Sequence, residues 1–183
     1  WSLLNINLRH TTLEWALLYV HIVETILCGA VAVLLCRHCV MGMVKLRFFE
    51  AVLFGGPAVF FVLLQFSLFT KMAEEGFANP VPLVWPVLIF TYALFIPNTW
   101  QRAAWIIGLL AAAPVAVSFY LWFTSPLFAE VHAKPIFHGY LVESTMMMAL
   151  VAGIAIFGVY IIGALRREAY RAKQMGQYHL KQR

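Results

Sequence analysis

The amino-acid sequence predicts an all-α fold, a polytopic bundle of transmembrane helices. Four apolar runs are each close to the roughly 20 residues that a helix needs to cross hydrocarbon, namely residues 16–36, 51–70, 103–123 and 144–165. Residues 81–97 form a shorter fifth candidate. Hydrophobic residues make up 63% of the chain and charged residues 11%, which lies outside the range of soluble globular domains. We therefore expect five spans with the lipid bilayer around them.

Lysine and arginine are distributed unevenly between the loops that join these spans. The larger set comprises Arg37, Lys45, Arg47, Arg102, Arg166, Arg167, Arg171, Lys173, Lys181 and Arg183. The opposite set holds only Arg9, Lys71 and Lys134. Because positive residues in short loops are retained in the cytoplasm, the larger set and the C-terminal tail are predicted to be cytoplasmic. A net charge of +5 that lies beside lipid headgroups does not indicate nucleic acid as a partner.

The C-terminal third of the chain predicts a change from membrane helix to a new domain. Residues 1–165 are expected to form the transmembrane domain and residues 166–176 a cytoplasmic juxtamembrane helix, because no proline interrupts residues 144–175. Gly176 then breaks the helical pattern, and residues 177–183 alternate polar with apolar as a strand does. Since the chain begins without an initiator Met, we expect a longer parent protein. Five spans with a cytoplasmic C-terminus place residues 1–15 outside, so we expect a sixth span before the first.

An ionisable pair within the first span is the main candidate site. His21 and Glu24 are three residues apart, so they share one face of a helix. An ionisable residue at membrane depth is a functional-site hypothesis by default, because facing lipid costs at least ~2.5 kcal/mol. Such a pair can transfer a proton, bind a metal ion or act as the counter-ion of a ligand. The alternative is a His–Glu hydrogen bond that ties this helix to a neighbour.

Three further features are typical of helix packing and membrane anchoring. Gly108, Ala112 and Ala116 recur every four residues and form a small-residue stripe, whose partner is a helix of the same chain or of a second copy in a homodimer. Arg166 and Arg167 follow the last span and are expected to anchor it at the headgroups. Interfacial anchoring is also expected of the tryptophans near span ends, which are Trp15, Trp85, Trp100, Trp105 and Trp122.

Two groups of metal-ligating side chains lie outside the apolar runs or at their ends. Cys36 and Cys39 lie at the cytoplasmic end of the first span, but a closed zinc site needs four ligands, so palmitoylation is at least as consistent with their position. His132 and His138 are expected in a solvated outer loop, where they would bind a cation or respond to pH only if their geometry were fixed. The sequence therefore predicts no metal site and no bound cofactor.

The chain contains no motif of a soluble catalytic site. A Gly-rich phosphate loop, G-x-S-x-G and H-E-x-x-H are all missing from the sequence. None of the 183 residues is an aspartate, which excludes from this chain any site that needs an aspartate for a metal or a general base. We assign no catalytic residue.

Three stretches resemble one family when they are taken in order along the chain. They are LRFFEAVLFGG at residues 46–56, IPNTWQRAA at residues 96–104 and MGQYHLKQR at residues 175–183. They are similar to the multi-span domains and the membrane-proximal kinase start of bacterial, planctomycete-type eukaryotic-like serine/threonine protein kinases. In that family a segment like the last stretch forms the first strand of the kinase, and a Gly-rich ATP loop follows it.

The resemblance implies a parent enzyme of the bacterial inner membrane that transfers the γ-phosphoryl group of ATP, with Mg²⁺, to Ser or Thr of protein substrates. The present chain would be its membrane anchor and its sensory or dimerisation domain. None of the family's functional residues falls within the chain. Two alternatives remain open: a freestanding membrane protein, such as a small transporter or a haem- or quinone-binding subunit, and the membrane input domain of a nucleotide cyclase.

Overall fold

The computed structural model describes the backbone of residues 2–37, 42–96, 99–137 and 139–181, and the side chains of residues 15–34, 42, 44–96, 99–137 and 139–174. All regular secondary structure in this part of the chain is helical, which confirms the predicted all-α class. The helices are α1 Ser2–Arg37, α2 Met43–Glu50, α3 Gly56–Glu74, α4 Val84–Phe95, α5 Trp100–Thr124, α6 Pro126–Ala133 and α7 Tyr140–Lys181.

Four of the helical segments are long and apolar enough to cross a membrane. They are Trp15–Leu34, Val44–Glu74, Trp100–Thr124 and Tyr140–Gln174. The 12 residues of α4 rise only about 18 Å, which is short of the roughly 30 Å of hydrocarbon. Length and composition thus allow four spans, and the fifth apolar run of the sequence forms a shorter helix.

The second of these segments contains a π-helical turn at Ala51–Gly55, which joins α2 to α3 without a break. Pro57 lies in the first turn of α3, directly after the π-helical turn. Proline has no N–H to donate and its ring crowds the preceding turn of the helix. A widened, π-helical turn accommodates the ring, so the helix does not end there. The helical segment therefore continues through Pro57 with one widened turn.

The two ends of the bundle are identified by side-chain contacts between distant segments. At one end, Glu50 accepts hydrogen bonds from Arg102 at 2.9 Å and from the hydroxyl of Tyr92 at 2.8 Å. At the other end, the hydroxyl of Ser144 accepts a hydrogen bond from the backbone N–H of Val81 at 3.2 Å. We refer to them as the Glu50 end and the Ser144 end. The segment from Val81 to Tyr92, which includes most of α4, therefore connects them.

An extended segment, residues 77–83, precedes α4 and is partly buried. Ala78 and Val81 are buried in it, although its backbone makes no regular helix. Pro80 and Pro82 have no N–H, and the N–H of Val81 is bonded to Ser144, so few backbone donors of this segment need water.

The core is formed chiefly by α4, α5 and α7. Its fully buried side chains include Trp85, Ile89, Tyr92, Ile107 and Met148. Helix α1 packs mainly against α3 and the π-helical turn, and only 6% of its apolar window is buried. The bundle is therefore a compact group of helices with α1 at its edge.

Helix α7 continues without interruption from Tyr140 to Lys181 and passes through Gly176. The strand predicted over residues 177–183 is therefore wrong for the described part of that segment, which is helical through Lys181. A glycine inside a helix costs only about 1 kcal/mol, and a strand needs a neighbouring strand, which the described residues do not contain. Whether a further domain begins near this point stays a prediction.

Candidate functional site

The polar pair of the first span lies where α1 meets the π-helical turn. The exposed ring of His21 packs against Phe60 of α3, with 5.1 Å between ring centroids. Glu24 Oε1 is enclosed and has no hydrogen-bond partner in the described part of the chain. The two residues share a face, as predicted, but the expected hydrogen bond from His21 to this oxygen is not present.

Glycine at position 56 makes room for the carboxyl group of Glu24. A Cβ atom at Gly56 would lie 3.0 Å from Glu24 Oε1, so any larger residue there would push the carboxyl away. The carboxyl group lies in a groove of about 590 Å³ between α1 and the π-helical turn, with Cys28 and Val59 among its lining residues. A carboxyl group with an unused acceptor at membrane depth is chemically suited to hold a proton, a cation or the donor of a ligand.

Because Glu24 Oε1 has no partner, we predict that Glu24→Leu leaves the free energy of unfolding unchanged or raises it by up to about 1 kcal/mol. The measurement is unfolding of the purified chain by SDS in mixed micelles, with Glu24→Gln as a control of equal shape. A loss of about 0.5–2 kcal/mol, the usual worth of an intramembrane hydrogen bond, would mean that the carboxyl group has a partner after all.

A second polar cluster, which sequence reasoning missed, lies at the Glu50 end. The carboxyl group of Glu50 is only 6% exposed, and Arg47 Nη1 and Arg102 Nη2 both donate to its Oε2, at 2.8 and 2.9 Å. The Tyr92 hydroxyl donates to its other oxygen. This Glu50 cluster joins α2, α4 and α5. The i,i+3 spacing of Arg47 and Glu50 was a readable signal, but Glu50 falls one residue outside the apolar run.

A third polar cluster lies in the middle of the bundle around Gln65, which is 1% exposed. Its Nε2 donates to the backbone carbonyl of Pro114 at 2.9 Å, and its Oε1 accepts from Trp85 Nε1 at 2.8 Å. The Ser118 hydroxyl also donates to the Pro114 carbonyl at 3.0 Å. The polar groups around the proline of α5 are thus satisfied within the protein, as lipid surroundings require.

The Gln65 cluster corrects the role expected for one tryptophan. Trp85 was predicted to anchor at the lipid headgroups, but its side chain is fully buried and bonded to Gln65. The apolar ring packs edge-on against Phe61, with centroids 5.9 Å apart. Burial of the ring together with satisfaction of its N–H explains the interior position.

The small-residue stripe of α5 lies on the outer face of that helix. Gly108, Ala112 and Ala116 are all exposed, and a Cβ at Gly108 would meet nothing within 4 Å. The face of α5 that packs in the bundle carries instead Ile107, Ala111 and other buried residues. The stripe is therefore not used for packing between the described helices, and its use by a second copy stays a prediction.

The remaining candidates are placed as follows. Arg166 and Arg167 are exposed on α7. The side chains of Cys36, Cys39 and His138 lie outside the described residues. Within those that are described, no group of three or more His, Cys, Asp or Glu side chains is arranged to hold a metal ion.

His132 belongs to helix α6 and is only 4% exposed, whereas the sequence predicted a solvated loop. The helix begins where the hydroxyl of Ser125 accepts a hydrogen bond from the N–H of Phe128, and Pro126 occupies its first turn. His132 Nδ1 lies 3.0 Å from the carbonyl oxygen of Phe128. Burial lowers the pKa of the imidazole, although this hydrogen bond acts in the opposite direction.

No protein-family model, curated protein or solved structure matches this chain. The function must therefore be argued from the geometry of the helices and of their polar groups.

Proposed function

We propose that this chain is the membrane anchor and sensory domain of a receptor-like signalling protein, in which α7 carries the signal to a C-terminal cytoplasmic domain. The observation that supports the proposal is the length of α7. Its 42 residues extend about 63 Å, roughly twice the thickness of the hydrocarbon core. The N-terminal part packs against α4 and α5, whereas its residues 165–174 are all exposed.

The proposed topology has five crossings of a bacterial inner membrane, with the C-terminus and the Glu50 end in the cytoplasm. The support for a crossing by α4 is that Val81 and Tyr92 contact opposite ends of the bundle. The extended segment before α4 adds length to its 12 helical residues. The contact between Glu50 and Arg102 agrees with the sequence prediction that the regions before the second and fourth spans share one side.

The topology predicts a simple labelling pattern. In a background without native cysteines, Glu75→Cys should react with an impermeant maleimide added to intact cells, because it follows the second span on the outer side. Gln101→Cys should react only after the membrane is permeabilised. The reverse pattern would refute the orientation, and labelling of both in intact cells would refute a crossing by α4.

The parent chain would be a serine/threonine protein kinase that uses ATP and Mg²⁺ on protein substrates, and the anchor would dimerise. This part of the proposal is supported only by the resemblance of three stretches to that family. The coding sequence after Arg183 separates it from the second candidate, a freestanding membrane protein. A Gly-rich loop followed by a strand lysine within about forty residues supports the kinase. The unpartnered oxygen of Glu24 is the observation that favours the second candidate.

Insertions into α7 test whether it transmits a signal. Four residues, Glu-Ala-Ala-Lys, placed after Arg171 would turn the following segment by about 40° beyond a whole turn and move it by about 6 Å. Seven residues of similar composition would restore the angle to within about 20°. If α7 is the transmitter, we expect autophosphorylation of the full-length protein to differ between the two insertions.

The control is a Gly-Ser insertion of each length at the same position, which keeps the distance but uncouples rotation. Equal activity of all four variants would show that α7 is a tether only, and the proposed transmission would then be abandoned.

A further inference from the structure

A cavity of about 420 Å³ lies at the Ser144 end, between α5 and α7 and beside α6. Four of its nine lining residues are Phe or Trp, namely Phe119, Trp122 and Phe123 of α5 and Phe137 from the turn before α7. Its polar side chains are His132 and Thr145. Binding cavities for small molecules have this composition, a largely apolar wall with few polar groups that fix orientation.

The histidine of this cavity is held rigidly. The imidazole of His132 lies against Phe128 with 4.0 Å between centroids, and Trp122 approaches it edge-on at 6.3 Å. Its Nδ1 is bonded to the carbonyl oxygen of Phe128, and a carbonyl oxygen only accepts, so Nδ1 carries the proton. In the neutral ring Nε2 is then a lone-pair acceptor, and the described residues supply no hydrogen bond to it.

We propose that this cavity binds a small aromatic molecule with one hydrogen-bond donor, such as a phenol or an indole, whose O–H or N–H donates to His132 Nε2. The aromatic wall favours a flat ring, which it would contact in edge-to-face or offset-stacked geometry. The volume is larger than the 150 Å³ or so that holds a benzene molecule and suits one or two rings.

A lipid chain is the less suitable occupant. It has no donor, so it would leave the Nε2 acceptor of His132, a residue that is only 4% exposed, without a partner. In the proposed topology the cavity lies at the outer end of the bundle. Thr145 and Met146 of α7 form part of its wall, so an occupant touches the helix proposed to transmit. Only this coupling to α7 rests on the proposed function; the binding does not.

The test compares 4-fluorophenol with fluorobenzene, which lacks the donor, by ¹⁹F NMR on the purified chain in lipid nanodiscs. Empty nanodiscs correct for partition of the probes into lipid. We expect saturable binding of 4-fluorophenol and binding of fluorobenzene that is about tenfold weaker, as the loss of one hydrogen bond implies. In His132→Phe the difference between the probes should disappear. Trp105→Phe, which changes an aromatic side chain that is 82% exposed on α5, should bind as the unchanged chain does.

A second variant keeps the test decisive if His132→Phe does not fold. Met146 is 68% exposed, so Met146→Trp should fold normally and fill the cavity, and binding of both probes should be lost. Equal binding of the two probes, an unchanged preference in His132→Phe, or no saturable binding would each overturn the site. If 4-fluorophenol binds but leaves autophosphorylation of the full-length protein unchanged, the site stands and its coupling to α7 fails.

Discussion

Replacing Arg47 and Arg102 together by methionine is expected to lower the free energy of unfolding by about 3 kcal/mol, the low end of the range for broken buried ion pairs. The double change removes the guanidinium groups of Arg47 and Arg102 from Glu50 Oε2, while the carboxyl group, which is 6% exposed, stays in place. The low end applies because the two arginine side chains are themselves 32% and 39% exposed. The measurement is unfolding of the purified chain by SDS in mixed micelles.

Two comparisons isolate the buried charge as the cause. Adding Glu50→Met to the double variant should recover a large part of the loss, because it removes the buried carboxylate that the double change leaves without its arginines. The double change Arg166→Met and Arg167→Met removes two arginines from exposed positions of α7 and should alter stability by less than about 0.5 kcal/mol. If the triple variant is less stable than the double variant, the Glu50 cluster acts by packing and not by charge.

The predicted spans agree with the structure where the local sequence alone, a long apolar run, is enough to form the helix. Each of α1, α3, α5 and α7 contains an apolar run long enough to cross a membrane, and such a run satisfies its backbone hydrogen bonds internally. The strand near the C-terminus was wrong because a few alternating residues are a weak signal, and the residues in question also favour helix.

The polar clusters could not be predicted because they join residues that are distant in sequence. Gln65 and Pro114 are 49 residues apart, and Glu50 and Arg102 are 52 apart. A single sequence contains no signal for such pairs. By contrast, the short helix α6 was predictable from Ser125 and Pro126, which form a standard helix start. That signal would have placed His132 on a helix.

The position of α4 follows from the same long-range contacts. Two of its polar side chains bond to the second membrane-length segment: Trp85 to Gln65 of α3, and Tyr92 to Glu50 of α2. The two bonds hold α4 at two different heights along the bundle. Its 12 residues are too few to determine this position by spanning the hydrocarbon. Between helices in lipid, packing and hydrogen bonds replace the hydrophobic effect as the source of stability. We therefore expect the contacts of α4 to be among the most sensitive to substitution.

Substitutions of Trp85 should separate the contribution of its hydrogen bond to stability from the contribution of its packing. Trp85→Phe keeps a large ring but removes the Nε1 donor from Gln65, and we expect a loss of about 1–2 kcal/mol. Trp85→Ala also leaves a cavity where the ring was fully buried, so the total loss should reach about 3–5 kcal/mol. Trp105→Ala, at a position 82% exposed, should cost less than about 0.5 kcal/mol under the same SDS titration. Equal losses for Trp85→Phe and Trp85→Ala would assign the whole effect to the hydrogen bond, and equal losses for Trp85→Ala and Trp105→Ala would contradict the buried position of α4.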